Sequence, residues 1–223
     1  DFQLVYESQH FVYHQMDSDT IYIYTVWQEN YFNWLCKELK IESGFKLHFF
    51  KYLSREQLYE LTGRNTNAFA DYKNQRLHTI WWIDNHECAH ILTDTYWGQG
   101  PALFNEGLAV SHQAKLVDGQ FIPGWNGEDF HVIVKKLIET QELPTLDELL
   151  DSHSFWDFDS DVNYPVAGSF IRFLLDEYGL DHMRNYHKQS GYWDKVSKTK
   201  KRIKEEYGKE LRDLFAEWLI FIS

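Results

Sequence analysis

Residues 86–90 read HECAH, and their types and spacing are those needed to hold and use a metal ion. His86 and His90 stand at i and i+4, one above the other on a helix face, close enough for both imidazoles to bind one tetrahedral Zn²⁺. Glu87 follows the first histidine, so it points beside the metal rather than onto it. There it can take a proton from a metal-bound water whose pKa zinc lowers toward about 7. Two plainer readings compete. The chain holds 11 histidines, so the pattern can arise from composition alone. Asp84 and Glu87 in "DNHE" can also be the two halves of a capping box, with both histidines on a wet helix face.

A catalytic zinc site wants a third protein ligand, and "GPALFNEGLAV", residues 100–110, offers Glu106. Gly100-Pro101 starts a helix, because proline is tolerated at a first helical position. Glu106 then falls more than a turn inside, flanked by Leu103, Phe104 and Leu108, where a carboxylate is costly to bury without a cation. The competing reading is a solvent-facing glutamate. A metzincin continuation fails, since its glycine and histidine positions hold Thr93 and Tyr96. Asp94, one turn past His90, suits a hydrogen bond to a ligand imidazole better than the metal itself. His112 lies off the Glu106 face and is expected at the surface.

The elements that must carry these residues change character along the chain. "HFVYH" (10–14), "FKLHFFKYL" (45–53) and "RLHTIWW" (76–82) read as strands. "DSDT" (17–20) starts a long amphipathic helix whose apolar positions are Ile21, Tyr24, Tyr31, Phe32, Leu35 and Leu39. "SREQLYELTG" (54–63) reads as a short helix capped by Ser54 with Gln57 three later, closed by Gly63. From about residue 84 the pattern is helical to the end, over about 84–97, 101–115, 130–141, 145–151, 165–178, 181–189, 194–206 and 211–222. The expected fold is α+β: a mixed lobe with a small sheet over 1–83, then a mostly helical lobe over 84–223, with HECAH near the seam.

Bulk properties set outer limits. At 223 residues, 43% of them apolar, the chain can bury a sizeable core, yet no apolar run reaches the eighteen or so residues of a membrane span. A net charge of −12 argues against a nucleic-acid partner. Cys36 and Cys88 give neither a disulfide framework nor a CxxC pair, and both are expected as small buried thiols. The chain begins at Asp1 rather than Met, as after removal of a signal peptide, so an extracytoplasmic place, secreted or in the cell envelope, is expected.

Four stretches taken together, "HECAH", "LFNEGLAV", "YPVAGSFIRFLLDEYG" (164–179) and "EEYGKELRDLFAEWLIFI" (205–222), resemble the gluzincin metallopeptidases, most closely the bacterial peptidase-MA-like domains. The resemblance implies a zincin-like fold, Zn²⁺ on His86, His90 and Glu106, Glu87 as general base, and a peptide or protein substrate. It also suggests Tyr164, in the place of a tyrosine or histidine that hydrogen-bonds the oxyanion in such enzymes. Two departures stand out. Only residues 91–105 separate His90 from Glu106, fewer than in thermolysin-like members. Val110 occupies the position of an aspartate that orients a ligand histidine there, leaving Asp94 or Ser111 as candidates for that support.

Other features are assigned plainer roles. "DFDSD" (157–161) lacks the glycine and glutamate of a calcium loop and reads as a solvated acidic loop. The basic run 195–204 reads as the wet face of a helix. The aromatics near the motifs suit a binding cleft, and strand 76–82 is expected to offer an edge to an extended substrate. The alternative class is a non-catalytic cell-surface binding module that retains the fold. The intact Glu87 speaks against it.

Overall fold

The computed structural model describes residues 2–15 and 22–223 of an α+β protein. Two compact units divide at Tyr96/Trp97. The first contains β1 (Gln3–Glu7), β2 (Phe11–Gln15), α1 (Tyr22–Leu39), β3 (Leu47–Lys51), α2 (Arg55–Thr62), β4 (Ala68–Asp71), a 3₁₀ turn (Tyr72–Asn74), β5 (Arg76–Thr79) and α3 (Asn85–Tyr96). The expected break at 83/84 would have placed α3 with the helical remainder. Instead α3 packs on β4, β5 and α1, so it belongs to the sheet-bearing unit.

The five strands lie in the order β1-β2-β3-β5-β4, with β2, β3 and β5 parallel and the two outer strands antiparallel to their neighbours. Alternation sorts their side chains. Phe11, Tyr13, Leu47, Phe49, Leu77 and Thr79 are buried, and Tyr31, Phe32, Leu35 and Leu39 of α1 are buried with them. Val12, His14, His48, Phe50 and His78, of opposite parity, are half-buried. Tyr24, expected in the helix stripe, is exposed and stacks on Trp82 with ring centroids 5.4 Å apart. The expected helix start at 17–20 and Ile21 lie outside the described residues.

Strand 76–82 does not have the free edge expected of it. β5 ends at Thr79 and is hydrogen-bonded on both sides, to β3 and to β4. The short β4, whose sequence AFAD shows little alternation, takes the outer position.

The second unit contains α4 (Ala102–His112), β6 (Ala114–Val117), β7 (Gln120–Pro123), α5 (Phe130–Glu139), α6 (Leu146–Leu150), a 3₁₀ turn (Ser154–Asp157), α7 (Ser160–Tyr178), α8 (Leu180–Gln189), α9 (Val196–Tyr207) and α10 (Leu211–Phe221). Its helices follow the expected sequence, but the expected stretch 101–115 ends at His112 and a β-hairpin follows. The Asp118-Gly119 turn, with both residues at positive φ, closes that hairpin. Every residue of α4 is buried, as befits a helix apolar on all sides. α4 packs on α7, and no helix among the described residues is long and apolar enough to cross a membrane.

Candidate metal centre

α3 starts where it does because Asp84 caps it. Asp84 Oδ1 accepts the Glu87 N–H at 3.0 Å, which also satisfies one of the orphan donors of the first turn. Burial raises the Asp84 carboxyl above the usual carboxylate range, opposed by the Glu87 N–H and the Thr79 hydroxyl. Two α1 residues fix the same turn. The Asp84 N–H donates to Gln28 Oε1 at 3.0 Å, and the Tyr31 hydroxyl donates to the Asn85 carbonyl at 2.9 Å. The capping-box reading of "DNHE" is therefore half right: the cap exists, while the Asp84 N–H goes to Gln28.

His86 is half-buried and His90 buried, with their Nε2 atoms 3.1 Å apart. That is close to the ~3.3 Å between two nitrogens at tetrahedral angles around a zinc about 2.0–2.1 Å from each. The sheet holds an instructive contrast. His14 Nε2 and His48 Nδ1 are 2.9 Å apart in rings only 14° from coplanar with centroids 5.2 Å apart, the end-to-end arrangement of an N–H···N hydrogen bond. In the His86/His90 pair the nitrogens are farther apart, yet the centroids are closer, 4.7 Å, and the planes cross at 76°. The rings are bent toward one another, so at least one nitrogen aims past its neighbour, as happens when two imidazoles face a common point.

Glu106 supplies the third donor. One ligand atom from each of His86, His90 and Glu106 lies within 4.8 Å of the other two. Glu106 is 7% exposed, and a carboxylate so buried costs several kcal/mol unless a cation or hydrogen-bond donors balance it. Two imidazole nitrogens and one carboxylate are a donor set that suits zinc, so the residues fit the ion the motif implies.

Small residues set the course of α4. A Cβ on Gly107 would lie 2.6 Å from the Ala167 carbonyl oxygen and 2.4 Å from Ile171 Cγ1, and one on Gly168 would lie 2.4 Å from Val110 Cγ1. The glycines of "NEGLA" and "VAGSF" thus let α4 and α7 approach as they do. The N-terminus of α4 has Pro101 as its cap residue, which offers no side-chain acceptor. Ser152, buried and remote in sequence, accepts the Ala102 N–H at 2.9 Å and donates to the Tyr192 carbonyl at 2.7 Å. The link into α4 turns at Gly98, whose φ of 85° is a left-handed conformation natural to glycine. The buried His187 of α8 donates from Nδ1 to the Gly98 carbonyl at 3.2 Å.

The remaining candidates fare unevenly. Asp94 is buried on α3, one turn beyond His90. Ser111 is buried too, but its hydroxyl donates to the Leu108 carbonyl of its own helix at 3.0 Å. His112, expected at the surface, is only 2% exposed because α4 is buried to its end. Its Nδ1 donates to the Leu108 carbonyl at 2.9 Å, and burial lowers its pKa to about 4. Tyr164 does not open its helix. Asp159 caps α7 through the Asp161 N–H, so the helix starts at Ser160 and Pro165 falls inside it. The Tyr164 ring stacks face to face on Trp125, centroids 4.8 Å apart and planes 5° apart. The Trp125 indole N–H donates to Asp161 at 2.9 Å, so one carboxylate of the expected acidic loop anchors that pair.

No protein-family model matches this chain, and no curated protein sequence matches it.

Proposed function

We propose that the chain is a zinc-dependent metallopeptidase of the gluzincin type, with His86, His90 and Glu106 holding the ion. The observation that carries the reading is the approach of those three donors to within 4.8 Å of one another, with the two imidazoles bent rather than in line. A bound zinc would supply Lewis acidity, making water nucleophilic near neutral pH and polarising a carbonyl oxygen. The chain's own residues supply the rest. The Glu87 carboxylate accepts the proton of the attacking water and passes it to the leaving amine. The Tyr164 hydroxyl donates a hydrogen bond to the oxygen that becomes negative as the carbonyl is attacked. Its ring is held by Trp125, which is itself fixed through Asp161.

The test is an assay of the protein against a Glu87→Gln variant on a broad peptide library, with metal content measured for both. The proposal expects one zinc per chain in each and turnover in the unaltered protein alone. Zinc in both with no cleavage by either would identify a binding module instead.

A further inference from the structure

The start of α3 is a capping box with one bond redirected. In the complete motif the capping side chain accepts the N–H three residues on, and the acid there returns a bond to the cap residue's own N–H. This chain has a complete copy at α6. The Glu148 N–H donates to Thr145 Oγ1, and the Thr145 N–H donates to Glu148 Oε2 at 2.9 Å. Asp84 and Glu87 have the same spacing, and the first bond is made. The second is not available to Glu87 in the same way, because the Asp84 N–H donates to Gln28 Oε1, from 56 residues away.

Gln28 is completely buried. An amide is a costly side chain to bury, and an apolar residue would fill the space more cheaply if filling were its role. What its oxygen does is occupy a donor that lies within reach of an acid three residues on.

We propose that Gln28 is a positioning residue for Glu87: by taking the Asp84 N–H, it removes the local bond that would fold the Glu87 carboxylate back onto its own helix start. The inference rests on the reading of Glu87 as general base, since a carboxylate engaged as a cap partner is a poorer acceptor for a proton from water. Local side-chain bonds of this kind compete effectively with other roles, and Glu148 shows which way the competition goes in this chain when no glutamine intervenes.

A stability cycle at saturating zinc tests it without reading turnover. With Gln28 present, Glu87→Ala should leave the melting temperature nearly unchanged. In a Gln28→Met background, Glu87 becomes the cap partner, and its loss should lower the melting temperature by a further 2–4 °C or so, the size of one cap bond in a chain of this length. Equal shifts in the two backgrounds would overturn the proposal. Gln28→Glu keeps an acceptor at the same reach and should behave as Gln28 does; behaviour like Gln28→Met would also count against it. If Gln28→Met does not fold, Gln28→Asn withdraws the acceptor while keeping an amide and takes its place in the cycle. A crystal structure of the Met or Asn variant should show the Glu87 carboxylate within hydrogen-bond distance of the Asp84 nitrogen, and a carboxylate left elsewhere would contradict the proposal. On a cleaved peptide the same variant should lower kcat with KM and zinc content unchanged. Absence of turnover in every variant would reject the peptidase reading alone, because the cycle and the crystal structure are read without it.

Discussion

Gly107 of α4 runs so close to Ala167 of α7 that a Cβ on the glycine would lie 2.6 Å from the alanine's carbonyl oxygen. Glu106 is the next residue, so the packing of two buried helices decides where this carboxylate is held. Gly107→Ala gains helix propensity, roughly 1 kcal/mol, but forces backbone apart. Overpacking of this kind costs about 1–3 kcal/mol and shifts the elements involved. The expected result is a lower urea midpoint together with weaker zinc binding by titration. A variant as stable and as tight as the parent would show that α4 has room to spare.

The cap that Ser152 gives α4 makes a separate prediction. Pro101 cannot supply it, so Ser152→Ala leaves the Ala102 N–H without its acceptor inside the protein. The expected loss is about 1 kcal/mol in denaturant unfolding. Ser152→Thr, which keeps the hydroxyl, should recover part of it.

Tyr164→Phe keeps the ring that stacks on Trp125 and removes only the hydroxyl. If the hydroxyl supports the developing oxyanion, kcat should fall on the order of 10²-fold with stability unchanged. Trp125→Ala, which removes the stacking partner but not the hydroxyl, should cost less in kcat. The reverse ranking would assign Tyr164 to packing.

Acid should destabilise the metal-free protein in a defined window. Burial lowers His112 and His78 from 6.5 to about 4. A depressed histidine pKa means the unfolded chain binds more protons between those values, so stability is fully present above about pH 6.5 and is lost as pH falls toward 4. For the fully buried His112 the difference is on the order of 3 kcal/mol. Denaturant unfolding of chelator-treated protein between pH 7 and pH 4 should show this slope. In His112→Asn the slope should be shallower, and an unchanged slope would remove His112 from the account.

Much of this site could be read from the chain because the information is local. An i, i+4 pair of histidines needs only a helix, and Asp84 three residues before Glu87 is a cap visible in the letters. Glu106 stood out because its neighbours are apolar on every side, the pattern of a buried helix. Strands β4, β6 and β7 were missed because four-residue strands with one buried residue or none carry no usable alternation, although Asp118-Gly119 was a turn signal. The groups that steady the site were invisible for another reason. Gln28 meets Asp84 across 56 residues, Ser152 meets Ala102 across 50, and His187 meets Gly98 across 89. Such pairings exist only once the chain is folded, and no local period encodes them.

The most direct measurement is an anomalous difference map at the zinc edge from crystals of the zinc-loaded protein. The account expects one peak about 2.0–2.2 Å from His86 Nε2, His90 Nε2 and a Glu106 carboxylate oxygen. A zinc-loaded crystal with no peak there, or a peak held by other residues, would contradict it.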